Sequence, residues 1–91
     1  MNTDKVTVLY LDDEENNLNS FKATFRIDYK VLLAKTIEEA DIHLNNPDNK
    51  IEVVISDQRM PGVTGVEYFE KIRQNHPHCV RLLITGFSDI E

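Results

Sequence analysis

Three carboxylates, on Asp12, Asp13 and Asp57, and one hydroxyl, on Thr85, fall where apolar runs give way to polar sequence. Carboxylates gathered at neighbouring strand ends repel one another and raise each other's pKa unless a cation sits among them. A few hard oxygen ligands with open positions suit Mg²⁺, which keeps several waters that a phosphate can replace. A carboxylate beside that ion can attack a phosphorus in line while the metal neutralises the phosphoryl oxygens. The product would be an acyl phosphate on aspartate, and the Thr85 hydroxyl could donate a hydrogen bond to it. Taken singly, each residue has a plainer explanation. The acids from Asp12 to Glu15 suit a helix N-terminus, Asp57 suits a turn, and Thr85 suits a strand.

The elements around these residues decide whether they meet. Val6 to Leu11 is a continuous apolar, β-branched run that ends in four acids, as a strand buried on both faces would. Leu18, Phe21, Lys22 and Phe25 then fall at helical spacing, with Asp13 as the expected N-cap. Lys30 to Ala34 reads as a second strand. Thr36-Ile37-Glu38-Glu39 has the form of a capping box and opens a second helix carrying Ile37, Ala40 and Leu44, which Asn45-Asn46-Pro47 stops. Ile51 to Ser56 is a third strand and Asp57 its polar end, before the turn at Met60-Pro61-Gly62. Val66, Phe69 and Ile72 stripe a third helix that should end near Asn75-His76-Pro77. Val80 to Thr85 is a fourth strand. Such alternation implies an α/β fold with a mostly parallel sheet and helices on both faces, where ligands bind at the carboxyl ends of the strands.

Bulk properties narrow the classes further. The chain has 91 residues, enough for one domain, a net charge of −6 and one cysteine. Its Lys and Arg are scattered among acids, which argues against direct nucleic-acid binding. No apolar run is long enough to span a bilayer and no signal-peptide pattern is present, so a cytoplasmic location is expected. Cys79 reads as a half-buried thiol at a strand start. His43 reads as solvated on the second helix. His76 and His78, flanking Pro77, read as exposed or helix-terminating rather than as metal ligands. Glycines at 62, 65 and 86 make no phosphate-cradling loop.

Leu11-Asp12-Asp13-Glu14, Ser56-Asp57-Gln58-Arg59-Met60-Pro61-Gly62 and Leu83-Ile84-Thr85-Gly86 resemble, in order, the marker segments of bacterial two-component response-regulator receiver domains. The resemblance implies a doubly wound, flavodoxin-like α/β sheet with strand order 2-1-3-4 over residues 1–91. It implies that Asp57 is the phosphoacceptor, that Asp12 and Asp13 are the acidic pair for Mg²⁺, and that Arg59 offers its backbone carbonyl to the metal. Thr85 would be the switch hydroxyl. A sensor histidine kinase or phosphotransfer protein would supply the phosphoryl group, and an output domain or effector would read it. The wording of the second and third segments is similar to receivers that precede cyclic-nucleotide phosphodiesterase-type or other signalling output domains.

Receivers of this family resemble a five-stranded, five-helix unit whose fifth strand carries a lysine that contacts the phosphoryl group. Against that pattern the chain reads as incomplete, with four strands, three helices and the start of a fourth. The fourth strand is then expected to be an unpaired edge beside an uncovered sheet face, which a second copy would bury as a homodimer. A non-phosphorylated receiver remnant acting as a protein-interaction module is the competing reading. An aspartate-nucleophile phosphohydrolase is disfavoured, because Asp12-Asp13-Glu14 lacks the Asp-x-Asp spacing of that class.

Overall fold

The computed structural model describes residues 5–59 and 62–84. Strand β1 (Thr7–Leu11) leads through helix α1 (Glu15–Phe25) to β2 (Lys30–Ala34), then through α2 (Ile37–Leu44) to β3 (Val53–Asp57), and through α3 (Gly65–Asn75) to β4 (Val80–Ile84). The four strands form one parallel sheet in the order β2-β1-β3-β4. This is the α/β architecture and strand order expected above. Thr85 and the start of a fourth helix lie outside the described residues.

Strand order reverses once, because the chain steps from β1 to β2 on one side and then returns to place β3 on the other. Right-handed crossovers in opposite directions put their helices on opposite faces. The packing follows that rule. Tyr10 of β1 stacks on Phe21 of α1 with ring centroids 4.4 Å apart. Leu9 and Leu11 instead share a core with Ala40 and Leu44 of α2 and with Tyr68 and Ile72 of α3. Covered on both faces and paired on both edges, β1 is buried at all five residues, which explains its unbroken apolar run.

At the other end of the sheet β4 pairs with β3 alone among the described strands. Val80, Leu82 and Ile84 are 56%, 49% and 41% exposed, although their residue types suit a buried strand. They alternate along one face and, by register with Val53, Ile55 and Asp57, share the α1 side of the sheet.

Several local details differ from the sequence expectations. The N-cap of α1 is Glu14 rather than Asp13, and its side chain makes no cap bond; Asp12 Oδ1 takes the Glu14 N–H instead, at 2.9 Å. At α2, Thr36 Oγ1 accepts from Glu39 N, but the Glu39 carboxylate reaches Lys35 N, so the box is only half formed. The reciprocal box is at α3, where Thr64 Oγ1 accepts from Glu67 N and Glu67 Oε1 accepts from Thr64 N. On α3 the buried side chains are Tyr68 and Ile72, while Val66 is 55% exposed. β3 begins at Val53, two residues later than the apolar run, after a short 3₁₀ turn over Pro47–Asn49. His43 is half-buried, its Nε2 donating to Leu33 O at 3.0 Å, so it is not the solvated side chain expected. Cys79 is fully buried and donates to Ile51 O at 3.2 Å.

Candidate functional site

Register brings the acids together. Leu11 of β1 is level with Ser56 of β3, so the next residues, Asp12 and Asp57, leave two adjacent strands at one height. Parallel pairing puts both at carboxyl ends, beside the point where strand order reverses, which is where open α/β sheets bind ligands. Asp13 extends the group outward, and one carboxylate oxygen from each of Asp12, Asp13 and Asp57 lies within 4.8 Å of the other two. Asp12 is buried, Asp57 half-buried and Asp13 exposed, so the cluster opens to solvent on the Asp13 side. The cleft there runs between the β2–α2 and β3–α3 connections, past Lys35, Thr36, Gly62 and Val63.

Two of the three acids are held by local hydrogen bonds. Asp12 is 1% exposed, yet both oxygens of its carboxylate are hydrogen-bonded: Oδ1 accepts from Glu14 N at 2.9 Å, and Oδ2 accepts from Tyr10 Oη at 2.6 Å and from Asn17 Nδ2 at 3.1 Å. Those donors stabilise a buried charge that would otherwise cost several kcal/mol. Asp57 Oδ1 accepts from Arg59 N at 3.2 Å, the turn geometry that an aspartate at a strand end favours. Tyr10 is pushed well above the ordinary phenol pKa, first by burial and then by the hydrogen bond to Asp12 and the charges of Asp12 and Asp57.

Helix α3 closes on the same strand end. Gly65 N donates to Gln58 O and Val66 N to Gln58 Oε1, each at 3.2 Å. A side chain at Gly65 would place Cβ 2.9 Å from the Asp57 carbonyl oxygen and 2.6 Å from Leu83 Cδ1. Glycine is therefore required for this approach of helix to strand. Gly62 is required for another reason, since its φ of 88° lies in the left-handed region.

Of the sequence candidates, the structure gathers Asp12, Asp13, Asp57 and the Arg59 backbone, while Thr85 lies outside the described residues. Sequence reading missed Tyr10, Asn17 and Gly65. A signal for Tyr10 existed, because residues two apart on a strand share a face, and Tyr10 and Asp12 are such a pair. His76 and His78 sit at the far end of the sheet with ring centroids 6.3 Å apart, and the acid trio is the only metal-like cluster found among the described residues. Three hard carboxylate oxygens of graded exposure fit a divalent cation of the Mg²⁺ kind.

Comparison with known proteins points the same way. The family "Response regulator receiver domain" matches residues 8–91. The hydrogenase transcriptional regulatory protein HoxA of Cupriavidus necator is 36% identical over 92 aligned positions, covering 100% of this chain and 18% of that protein. The chain thus spans less than a fifth of that relative's length. A response regulator receiver domain protein from Clostridium thermocellum superposes with a TM-score of 0.81 at 32% identity, over 93% of this chain and 68% of the other. The beryllofluoride-activated NtrC4 receiver domain dimer gives 0.75 at 33% identity, over 88% and 65%. No described helix is long and apolar enough to cross a membrane.

Proposed function

The chain belongs to the response regulator receiver family, and from that premise we propose that it is a phosphoacceptor switch in which Asp57 takes a phosphoryl group in a Mg²⁺-dependent step. The observation that carries this reading is the convergence of Asp12, Asp13 and Asp57 at two level strand ends. Asp12 and Asp13 hold the cation through carboxylate oxygens, with Asp57 and the Arg59 backbone carbonyl as further ligands. When bound, Mg²⁺ neutralises charge on the phosphoryl oxygens. Asp57 supplies the nucleophile: a carboxylate oxygen bonds to phosphorus as the donor's bond to phosphorus breaks and its electron pair leaves with the donor. The Arg59 N–H to Asp57 Oδ1 hydrogen bond orients the carboxylate at the strand end. Thr85, one residue beyond β4, is assigned the hydroxyl that binds the new phosphoryl group. The chain catalyses at most its own phosphorylation and dephosphorylation.

The phosphodonor in the cell is a sensor histidine kinase or phosphotransfer protein of a two-component system, in the cytoplasm. The reader is an output domain or effector, as the transcriptional regulator among its relatives suggests. Added charge of roughly −2 at Asp57 biases the surface around the β4 end. The exposed Val80, Leu82 and Ile84 favour a second copy of the chain as a further partner at β4, and a relative of similar fold is described as a dimer.

Incubation with Mg²⁺ and acetyl phosphate, followed by peptide mass spectrometry, tests the main reading. The expected result is one phosphate on Asp57, absent without Mg²⁺ and absent in Asp57→Asn. A phosphate on any other residue, or labelling that persists in Asp57→Asn, overturns the nucleophile assignment.

A further inference from the structure

We propose that Tyr10 is a positioning residue which, together with Asn17, occupies Oδ2 of Asp12 and so leaves Oδ1 as the atom offered to the divalent cation; this rests on the Mg²⁺ reading above. An ionised carboxylate has about four acceptor positions, two on each oxygen. Oδ2 takes the Tyr10 hydroxyl at 2.6 Å and the Asn17 amide at 3.1 Å, which fills both of its positions. Oδ1 takes only the Glu14 N–H among the described residues, so one position stays open on it. The choice of oxygen is therefore made before any cation arrives.

The hydroxyl is well placed to impose this. Tyr10 is rooted in the central strand and 6% exposed, and its ring is stacked on Phe21, which in turn contacts Phe25 at 4.7 Å. A ring packed in this way has little freedom to swing its hydroxyl off Asp12. Partners behind a metal ligand commonly set its orientation, and losing one typically weakens metal binding by about 10- to 100-fold.

A plainer account is that a buried hydroxyl needs some acceptor and Asp12 is merely near. The chain contains its own control. Tyr68 is also buried and donates to Asp41 Oδ1 at 2.5 Å, linking α3 to α2 with no part in the acid cluster. Tyr10→Phe and Tyr68→Phe each remove one phenol–carboxylate bond, and only the first touches the metal ligand.

The experiment is a Mg²⁺ titration followed by NMR on the full chain, reading the Glu14 and Asp57 amides and the tyrosine ring signals. Wild-type protein is expected to show the Tyr10 ring shifting along the same binding curve as the Glu14 amide, with the Tyr68 ring still. Tyr10→Phe is expected to weaken Mg²⁺ binding about tenfold while Tyr68→Phe leaves it unchanged. Equal affinity in Tyr10→Phe, or equal weakening in both variants, overturns the inference. Should Tyr10→Phe not fold, the wild-type ring signals decide, and a still Tyr10 ring on a protein that binds Mg²⁺ also overturns it. Wild-type amides that ignore Mg²⁺ would overturn the metal reading itself, and the role of Tyr10 with it.

Discussion

At the scale of single residues, the site is a set of like charges held close by hydrogen bonds and register. Without a cation, Asp13 adds a charge within 4.8 Å of two others and gains little from burial, since it is exposed. Asp13→Asn should therefore raise the stability of the metal-free protein by about 1 kcal/mol, the size of a Coulomb repulsion near the surface, while weakening Mg²⁺ binding. Urea melts in EDTA and in excess Mg²⁺ check both halves: the variant should be the more stable in EDTA and should gain less from Mg²⁺. For the wild type, Mg²⁺ at ten times its Kd should add about 1.4 kcal/mol. Asp12, Asp13 and Asp57 were legible in the sequence because each carries an unusual charge at the end of an apolar strand. Tyr10 was passed over, because tyrosine in a strand reads as core, although its spacing of two from Asp12 puts both on one face. Asn17 was hidden too, since an asparagine in the first turns of a helix carries no mark of its target.

Among the elements, α3 matters most to the site, because its first turn lies against the backbone of Asp57. Gly65→Ala would force Cβ into the Asp57 carbonyl and Leu83, and overpacking of this kind costs about 1–3 kcal/mol. Thr64→Ala removes a capping box and should cost about 1 kcal/mol without a clash. If Gly65 matters for placing Asp57, acetyl phosphate labelling should slow markedly in Gly65→Ala and hardly at all in Thr64→Ala, with denaturant melts to match stabilities. The same helix gives a pH dependence. Burial, and then the bond to Asp41, raises the Tyr68 phenol above its usual 10.0. The folded state therefore keeps a proton that the unfolded state loses above pH 10. Stability from this group is full below that pH and falls as pH rises, by at most about 1.4 kcal/mol per unit. Tyr10 contributes in the same direction. Denaturant midpoints should hold from pH 7 to 9 and fall above 10, less steeply in Tyr68→Phe. Element type and order were readable from periodicity, whereas the caps were not. Thr36-x-x-Glu39 and Thr64-x-x-Glu67 spell the same motif, and only three-dimensional packing decides that the second closes reciprocally and the first does not.

For the molecule as a whole, the two sides of the sheet are unequal. β2 and β1 are clothed by helices, while β4 shows aliphatic residues and a free edge among the described strands, an arrangement that invites pairing. The proposed second copy at β4 predicts that the apparent mass by light scattering rises with micromolar concentration, and that Leu82→Lys keeps it at the monomer value. A wild-type mass that stays monomeric throughout would remove that partner. The parallel α/β sheet and the acid site were legible from alternation and charge, whereas the strand order was implied only by the family resemblance. How far β4 stays bare was only an expectation, since a run such as Val-Arg-Leu-Leu-Ile looks alike whether or not a neighbour covers it. Cys79 turns this asymmetry into a rate. Its buried sulfur donates to Ile51 across the roots of β3 and β4, so a thiol reagent in solution must wait for those roots to part. The speed of modification then times how often the last described strand lifts from the sheet, and a docked copy would lengthen that interval.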